Sequence, residues 1–433
     1  MNWHISRRAF LRQTALGLGG LGIANFSIAA ARKVSPNEKL NIGAIGVANR
    51  AGANLAGVSS QNIVALCDVD DGYLAAAAKR HPGAKTYHDF RRLLDQPDLD
   101  AVLVGTADHT HAVAAVAALN RGLHVYCEKP LTRTISECRA VMEAAKKNQR
   151  VTQMGTQIHA DTNYRRVVEL VRSGVIGSVA EVHVWVNVSY PDDRLPRTGV
   201  PIPESLHYDL WLGPVPERPY SPDYHPGSWR RWWAFGGGGL ADFGCHYMDL
   251  PHWALELRSP LSAEIIEGKP PHPESIPSGF ALRYQYPARG EQPPVKLTWY
   301  HGGRTPGPDV LPAELVPNWR SGVLFIGSKG NLLADYSRRQ LLPEARFKDF
   351  VAPAPTIPDS IGHHEEWILA CKTGGPTTCN FDYSGSLTEA VLLGNVAYRA
   401  QSKIEWDSKN LKATNCPAAA EFIHHQYRKG WQL

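Results

Sequence analysis

Lys39–Val47 reads KLNIGAIGV, and the residues that follow, Ala48–Val58, read ANRAGANLAGV. An apolar run that closes on glycine has the form of a strand buried on both faces, and the second stretch has the form of a turn opening a helix. The pattern then repeats. NIVALCDVDD (Asn62–Asp71) is a second buried strand, LDAVLVGTADHTHAVAAVAALNRG (Leu99–Gly122) is a strand, loop and helix, and LHVYCEKPL (Leu123–Leu131) is another strand. Strands alternating with helices at this spacing predict a doubly wound parallel sheet, an α/β fold.

The turn after the first strand decides what such a sheet would hold. A dinucleotide fingerprint asks for G-x-G-x-x-G, and here the positions read Gly46, Ala48 and Ala51, with Gly52 following. Only the first glycine is in place, so the motif rests on its context. It follows a strand, opens a helix, and Asp68 stands at the end of the second strand, 22 residues after Gly46. Gly46, Ala48, Asn49 and Arg50 are the candidate phosphate-side residues, where helix amides would meet the anion. Asp68 would accept bonds from ribose hydroxyls and repel a 2′-phosphate, which favours NAD over NADP. Arg50 argues mildly the other way, as a partner for such a phosphate.

Composition narrows the function classes. The first 31 residues carry Arg7, Arg8 and Arg12 and no acid, and Gln13–Ala31 holds no charge at all. Ser6-Arg-Arg-Ala-Phe-Leu11 ahead of an apolar run ending in small residues resembles a twin-arginine signal, cleaved after export of the folded protein. Its glycines leave it too weakly apolar for a confident membrane span. Without it, 43 Lys+Arg face 41 Asp+Glu, a formal net charge of +2, which points to no nucleic-acid partner and no membrane partner after cleavage. Seven scattered cysteines make no disulfide framework, as suits a chain folded in a reducing compartment. The expected divisions are 1–31 for the signal, 32–155 for the dinucleotide-binding domain, and 156–433 for a second domain.

From SVAEVHVWVNV (Ser178–Val188) the pattern changes to alternation of period two. GFALRYQYP (Gly279–Pro287), PVKLTWYHGG (Pro294–Gly303) and the hairpin GVLFIGSKGNLLAD (Gly322–Asp335) continue it. This predicts an α+β domain built on a large, mostly antiparallel open sheet.

With ADHTHA (Ala107–Ala112), CEKPL (Cys127–Leu131), TQMGTQ (Thr152–Gln157) and GGGGLADFGCHYMDLPHW (Gly236–Trp253) in these positions, the chain resembles the Gfo/Idh/MocA oxidoreductases. The resemblance implies that Lys129 reaches a substrate hydroxyl and that Glu128 is a structural or cofactor-side partner. It also implies that Thr106, Asp108 and His109 border the nicotinamide, with Gln157 at the crossing between domains. Pro130 sets the chain direction after Lys129. Asp242 and His246, four apart, share one face of the glycine-led helix, with Asp249 nearly on that face. His246 suits a general base because imidazole titrates near neutrality, while Asp242 would hold the hydroxyl or the imidazole. Lys129 would stabilise alkoxide charge. The glycines would let the backbone pass close to a ligand, and Pro251 should bend the helix.

The aromatic stretch Tyr208–Gly239 supplies Trp232 and Trp233 for stacking on a sugar ring and Arg230 for its polar groups, with core packing as the competing reading. Asp249 joins them as a substrate-side candidate. No metal is expected: His363 and His364 are adjacent, and neither GHHEEW nor DHTH has metal-site spacing. The expected activity is oxidation of a hydroxyl of a sugar, sugar derivative or cyclitol by an exported, periplasmic enzyme with tightly held NAD(P). Two alternatives remain: a redox-neutral, NAD-assisted glycoside hydrolase, lyase or epimerase, and a nucleotide-filled carbohydrate-binding protein. The open sheet face in relatives implies a homo-oligomer.

Overall fold

The computed structural model describes residues 38–190 and 194–433, so the leader lies outside the described residues. The first sheet has six strands: β1 (Asn41–Ile45), β2 (Asn62–Cys67), β3 (Lys85–Tyr87), β4 (Ala101–Val104), β5 (His124–Cys127) and β6 (Thr152–Met154). Their order is β3-β2-β1-β4-β5-β6 and every pairing is parallel. The predicted doubly wound sheet is present. Its order reverses between β1 and β4, and ligands of such sheets bind at the carboxyl ends of the strands at that point.

The second sheet has nine strands, β7 (Val179–Val186), β8 (Ser262–Gly268), β9 (Phe280–Tyr286), β10 (Val295–His301), β11 (Gly322–Gly327), β12 (Gly330–Ala334), β13 (Arg339–Leu342), β14 (Ile404–Asp407) and β15 (Lys412–Ala413), in the order β13-β12-β11-β7-β10-β9-β8-β14-β15. It centres on β7 (Val179–Val186) and β10 (Val295–His301), which pair in parallel, while the remaining pairings are antiparallel. The hairpin read from the sequence is β11 (Gly322–Gly327) and β12 (Gly330–Ala334). The sheet is open, with β13 and β15 at its edges. Leu311 and Trp319 pack on Trp185, Leu324 and Leu333, and the Trp185 indole donates to the Trp319 carbonyl at 2.7 Å.

The boundary near residue 155 does not separate two cores. Helix His363–Thr373 sends Trp367 into the apolar cluster of Leu40, Ile42, Leu66 and Leu103 beside the first sheet. His363 donates from Nε2 to the Met154 carbonyl (2.8 Å) and His364 meets Asn54 (3.1 Å), so both rings are engaged inside the protein. Helix Phe381–Ala400, buried along most of its length, packs against helices Ile135–Asn148 and Gly238–Tyr247. The two sheets therefore share buried helices, which holds the crevice between them in a defined shape.

A segment of the second domain also crosses back over the first. Leu206 bridges Asp70, the Asp71 amide donates to the Ser205 carbonyl (2.9 Å), and the His207 amide donates to the Val69 carbonyl (2.9 Å). Beyond this strap, Tyr208, Trp211, Tyr224, Trp229, Trp232 and Phe235 form a separate aromatic core. No helix among the described residues is long and apolar enough to cross a membrane.

Candidate active site

At the switch point lies a crevice of about 420 Å³ running from Asp68 past Gly46 and Thr106 to Lys129 and Arg230. Its near wall is the sequence's fingerprint turn. Gly46 has φ +84, and a Cβ there would lie 2.8 Å from the Gly105 carbonyl. Only glycine fits. Ala48, by contrast, has ordinary extended geometry at the helix N-cap, which any residue adopts. Ala51 sits against Gly105, where an added Cβ would come within 2.7 Å of the alanine methyl. The close helix–strand approach that the third fingerprint glycine normally permits is here supplied by a glycine on the facing strand. The two alanines therefore do not spoil the cradle.

At the outer end, Asp68 accepts from the Val47 amide (3.0 Å) and the Asp70 amide (3.1 Å). Burial pushes its carboxyl up, and those amide bonds oppose the shift. Each oxygen keeps a lone pair for a hydroxyl in the crevice. Arg50 turns away from this end. Its Nε bonds Glu128 at 2.9 Å, and the Gln157 amide, with its oxygen towards Arg50, donates to the Gly155 carbonyl at 2.9 Å. Glu128 also accepts from Asn54 at 2.9 Å and from the Lys129 amide at 3.2 Å. Arg50, Glu128 and Gln157 thus form one network that braces the turn; Asn49 lines the crevice beside it, at φ +51.

Farther in, Thr106 accepts from Thr110 at 2.7 Å, and the ring of His109 donates from Nε2 to the Trp211 carbonyl at 2.7 Å. Burial pushes His109 down to about 3, so it is neutral. Burial pushes the Asp108 carboxyl up to about 8, with Arg230 opposing and Asp242 reinforcing the shift. Asp108 Oδ1 and His109 Nδ1 are enclosed and have no hydrogen-bond partner. Orphaned polar atoms beside a glycine-lined cradle are what a bound polar ligand would satisfy. A dinucleotide fits these residues.

At the inner end four charged or polar groups converge. Lys129, whose peptide to Pro130 is cis, donates to the Asp242 carboxylate and, at 2.8 Å, to the Asp242 carbonyl. Tyr190 donates to the other carboxylate oxygen, and Arg230 Nε lies 3.3 Å from the first. Burial works against an ionised Asp242, but Lys129 and Arg230 outweigh it and hold the carboxyl at about 2. His246, one turn further along the same helix, is pushed well below the ordinary imidazole range by burial and then by Lys129, and its Nδ1 is enclosed without a partner. It is a neutral base beside an ion pair. Asp242 bonds Lys129 and Tyr190 rather than the imidazole.

The helix breaks at Met248 between Gly238–Tyr247 and Asp249–Ala254, the bend expected from Pro251. Other expectations need correction. Asp249 then points elsewhere: fully buried, it accepts from His159 (2.9 Å) and Tyr383 (2.6 Å) and is no substrate-side group. Trp232 is fully buried and donates to the Asp223 carbonyl at 3.0 Å; Trp233 donates to the His272 carbonyl at 3.1 Å. Neither lines the crevice, so core packing is the correct reading of both tryptophans. The glycine run serves the protein, not a ligand. Gly238 has φ +61, and a Cβ there would fall 2.2 Å from Ile276. Sequence reading missed Tyr190, which lies just past β7, and Trp211, His225 and Trp431, which close the crevice from the strap and the C-terminal tail.

The comparisons agree with this construction. Residues 40–156 match the oxidoreductase family's NAD-binding Rossmann fold, and residues 160–291 match the same family's C-terminal alpha/beta domain, together more than half of the chain. Inositol 2-dehydrogenase of Salmonella paratyphi B is 38% identical over 128 residues, 29% of this chain and 38% of that protein. A glycosyl hydrolase family 109 protein of Saccharopolyspora erythraea is 28% identical over 261 residues, 54% of this chain and 51% of that protein. The chain thus spans between 38% and 51% of the length of these two relatives. The WlbA dehydrogenase of Bordetella pertussis, solved with NADH and UDP-GlcNAcA, shares the fold at TM-score 0.63 and 16% identity, over 86% of this chain and 98% of that one. On its two matched domains and its strand order, the chain belongs to the Gfo/Idh/MocA oxidoreductase family.

Proposed function

We propose that this chain oxidises a hydroxyl of a sugar, sugar derivative or cyclitol, using NAD held in the crevice. The observation that carries the proposal is the cluster of Lys129, Asp242, Tyr190 and Arg230, of which Lys129 and Arg230 line the inner end of a crevice whose outer end suits a dinucleotide. Bound NAD supplies the hydride acceptor. Lys129, aimed by Asp242, donates to the substrate oxygen as it gains alkoxide character. His246, neutral at pH 7 with a free ring nitrogen, takes the hydroxyl proton. Asp68 without a nearby free arginine supports NAD over NADP, since Arg50 is engaged by Glu128.

A second reading has one observation in its favour. The hydrolase relative matches 54% of the chain, against 29% for the inositol dehydrogenase. A redox-neutral cycle would cleave a glycoside and leave the cofactor as it began. The leader suits either chemistry, because a twin-arginine substrate folds around its nucleotide before export; replacing Arg7 and Arg8 by lysine should leave the chain in the cytoplasm. To test the main reading, purified protein is denatured, released nucleotide is counted by mass spectrometry, and intact protein is offered polyols and aryl glycosides with NAD. NADH accumulating with a polyol supports oxidation. Aglycone released without NADH selects the redox-neutral cycle. Protein that neither carries nor binds NAD ends both.

A further inference from the structure

His88 lines the outer end of the crevice, and Asp71 and His207 lie against it, outside the chemistry above. Asp71 opens helix Asp71–Arg80, His88 follows β3, and His207 belongs to the strap that crosses from the second domain. Asp71 Oδ1 lies 3.4 Å from His88 Nε2 and 3.3 Å from His207 Nε2, and one ligand atom from each residue falls within 4.8 Å of the others. The two imidazoles stack at 3.9 Å and 28°. Ligand atoms around a tetrahedral zinc bonded at about 2.0–2.1 Å are about 3.3 Å apart, so both measured edges have the length of a zinc site.

Hydrogen bonding strengthens this. His88 Nδ1 is 3.0 Å from the Asp68 carbonyl, an acceptor only, so Nδ1 carries the proton. Nε2 of the same ring then faces the Asp71 carboxylate, the position from which it would bind a cation shared with that oxygen. The bond to a backbone carbonyl also fixes the ring and its tautomer, as is usual for metal-bound histidine. The side chains are 50%, 37% and 42% exposed for Asp71, His88 and His207, which leaves an entry path and room for a water as fourth ligand.

We propose that Asp71, His88 and His207 bind one zinc-class divalent ion that latches the strap over the crevice. Two ligands come from the first domain and one from the strap. The same strap delivers Leu210, Trp211 and His225 to the crevice wall, and His225 Nε2 is 3.2 Å from Asp70. An ion joining the two sides holds the crevice closed at the Asp68 end, where the nucleotide would leave. The site does not depend on the proposed function; the latch's effect on nucleotide rests on it.

The test uses untagged, chelator-treated full-length protein, titrated with zinc chloride by calorimetry and counted by elemental mass spectrometry. One zinc per chain is expected, with magnesium and calcium failing to compete. His207→Ala should weaken zinc by about tenfold or more, and Asp71→Asn should act alike; circular dichroism checks that both variants remain folded. If a variant unfolds, protection of His88 and His207 from diethylpyrocarbonate by zinc in the parent protein gives the same answer. Zinc should also slow release of bound nucleotide. No zinc uptake, or equal uptake by parent and variants, overturns the site. Zinc bound at these residues with nucleotide release unchanged overturns the latch. Zinc uptake by a chain that carries and binds no nucleotide leaves the metal site standing and removes the functional reading instead.

Discussion

Replacing Lys129 by methionine tests whether the inner cluster is one electrostatic unit. The side chains of Lys129 and Asp242 are only 11% and 12% exposed, so water screens their pairing little. Holding the Asp242 carboxyl at about 2 rather than 3.8 corresponds to about 2.4 kcal/mol of preference for the ionised form, already net of burial. Removing one partner of a buried pair usually costs about 3–5 kcal/mol. Here Arg230 and Tyr190 remain on the carboxylate, which puts Lys129→Met nearer the lower figure. Asp242→Asn should cost a similar amount, since it leaves Lys129 and Arg230 facing each other without an anion. The double variant should then lose less than the two together, with a coupling of about 2 kcal/mol.

The pH dependence has a definite sign. A carboxyl whose folded pKa is depressed contributes its stability above the unfolded value, near 3.8, and loses it as pH falls through about 2. The gap between parent and Lys129→Met should be full at pH 7 and shrink below pH ~4. Urea unfolding followed by tryptophan fluorescence would measure it. Additive single variants, or a gap that persists to the lowest pH at which both proteins fold, would refute the reasoning.

Asp108 should behave in the opposite sense. Its carboxyl is pushed up to about 8, so the folded chain binds the extra proton between about pH 4 and 8 and loses stability as pH rises through that window. Asp108→Asn, which cannot ionise, should gain on the parent by a few kcal/mol between pH 5 and pH 9, read as melting temperature against pH; a constant difference would count against it. Gly238→Ala combines φ +61 with a contact of 2.2 Å to Ile276 and should destabilise by more than about 3 kcal/mol. Adding Ile276→Ala should recover the steric part and not the backbone part; full recovery, or a silent single variant, would show that the close approach is absent.

How far the sequence could be read follows from how local each signal is. The parallel sheet and the Gly46 turn are written in consecutive residues, and a strand buried on both faces has no other pattern to show. Asp242 and His246 were legible because a helix converts a spacing of four into a shared face. The same rule failed at Asp249, since Pro251 broke the helix between them and turned the carboxylate to His159 and Tyr383. Trp232 and Trp233 failed for another reason. Tryptophans in a core and tryptophans on a sugar site have the same composition and spacing, and only the partners of their indole nitrogens, Asp223 and His272, separate the two.

Tyr190 and the strap carried no local signal at all. Tyr190 stands 52 residues from the carboxylate it bonds, and His207 stands 136 from Asp71. Such contacts depend on where the second sheet sits against the first, which is set by shared helices such as His363–Thr373 rather than by either partner's neighbours. This has a consequence for the site. The cradle for the nucleotide is made by short-range turns and is nearly complete within one domain, while Tyr190, Arg230, Asp242 and His246 all arrive from the other. Loosening the shared helices should therefore impair the inner cluster before the cradle. Trp367→Ala, which opens a cavity where helix His363–Thr373 is anchored beside the first sheet at a cost of about 3–5 kcal/mol, should lower turnover more than NAD affinity. An equal loss in both would mean that the cradle, too, depends on the second domain.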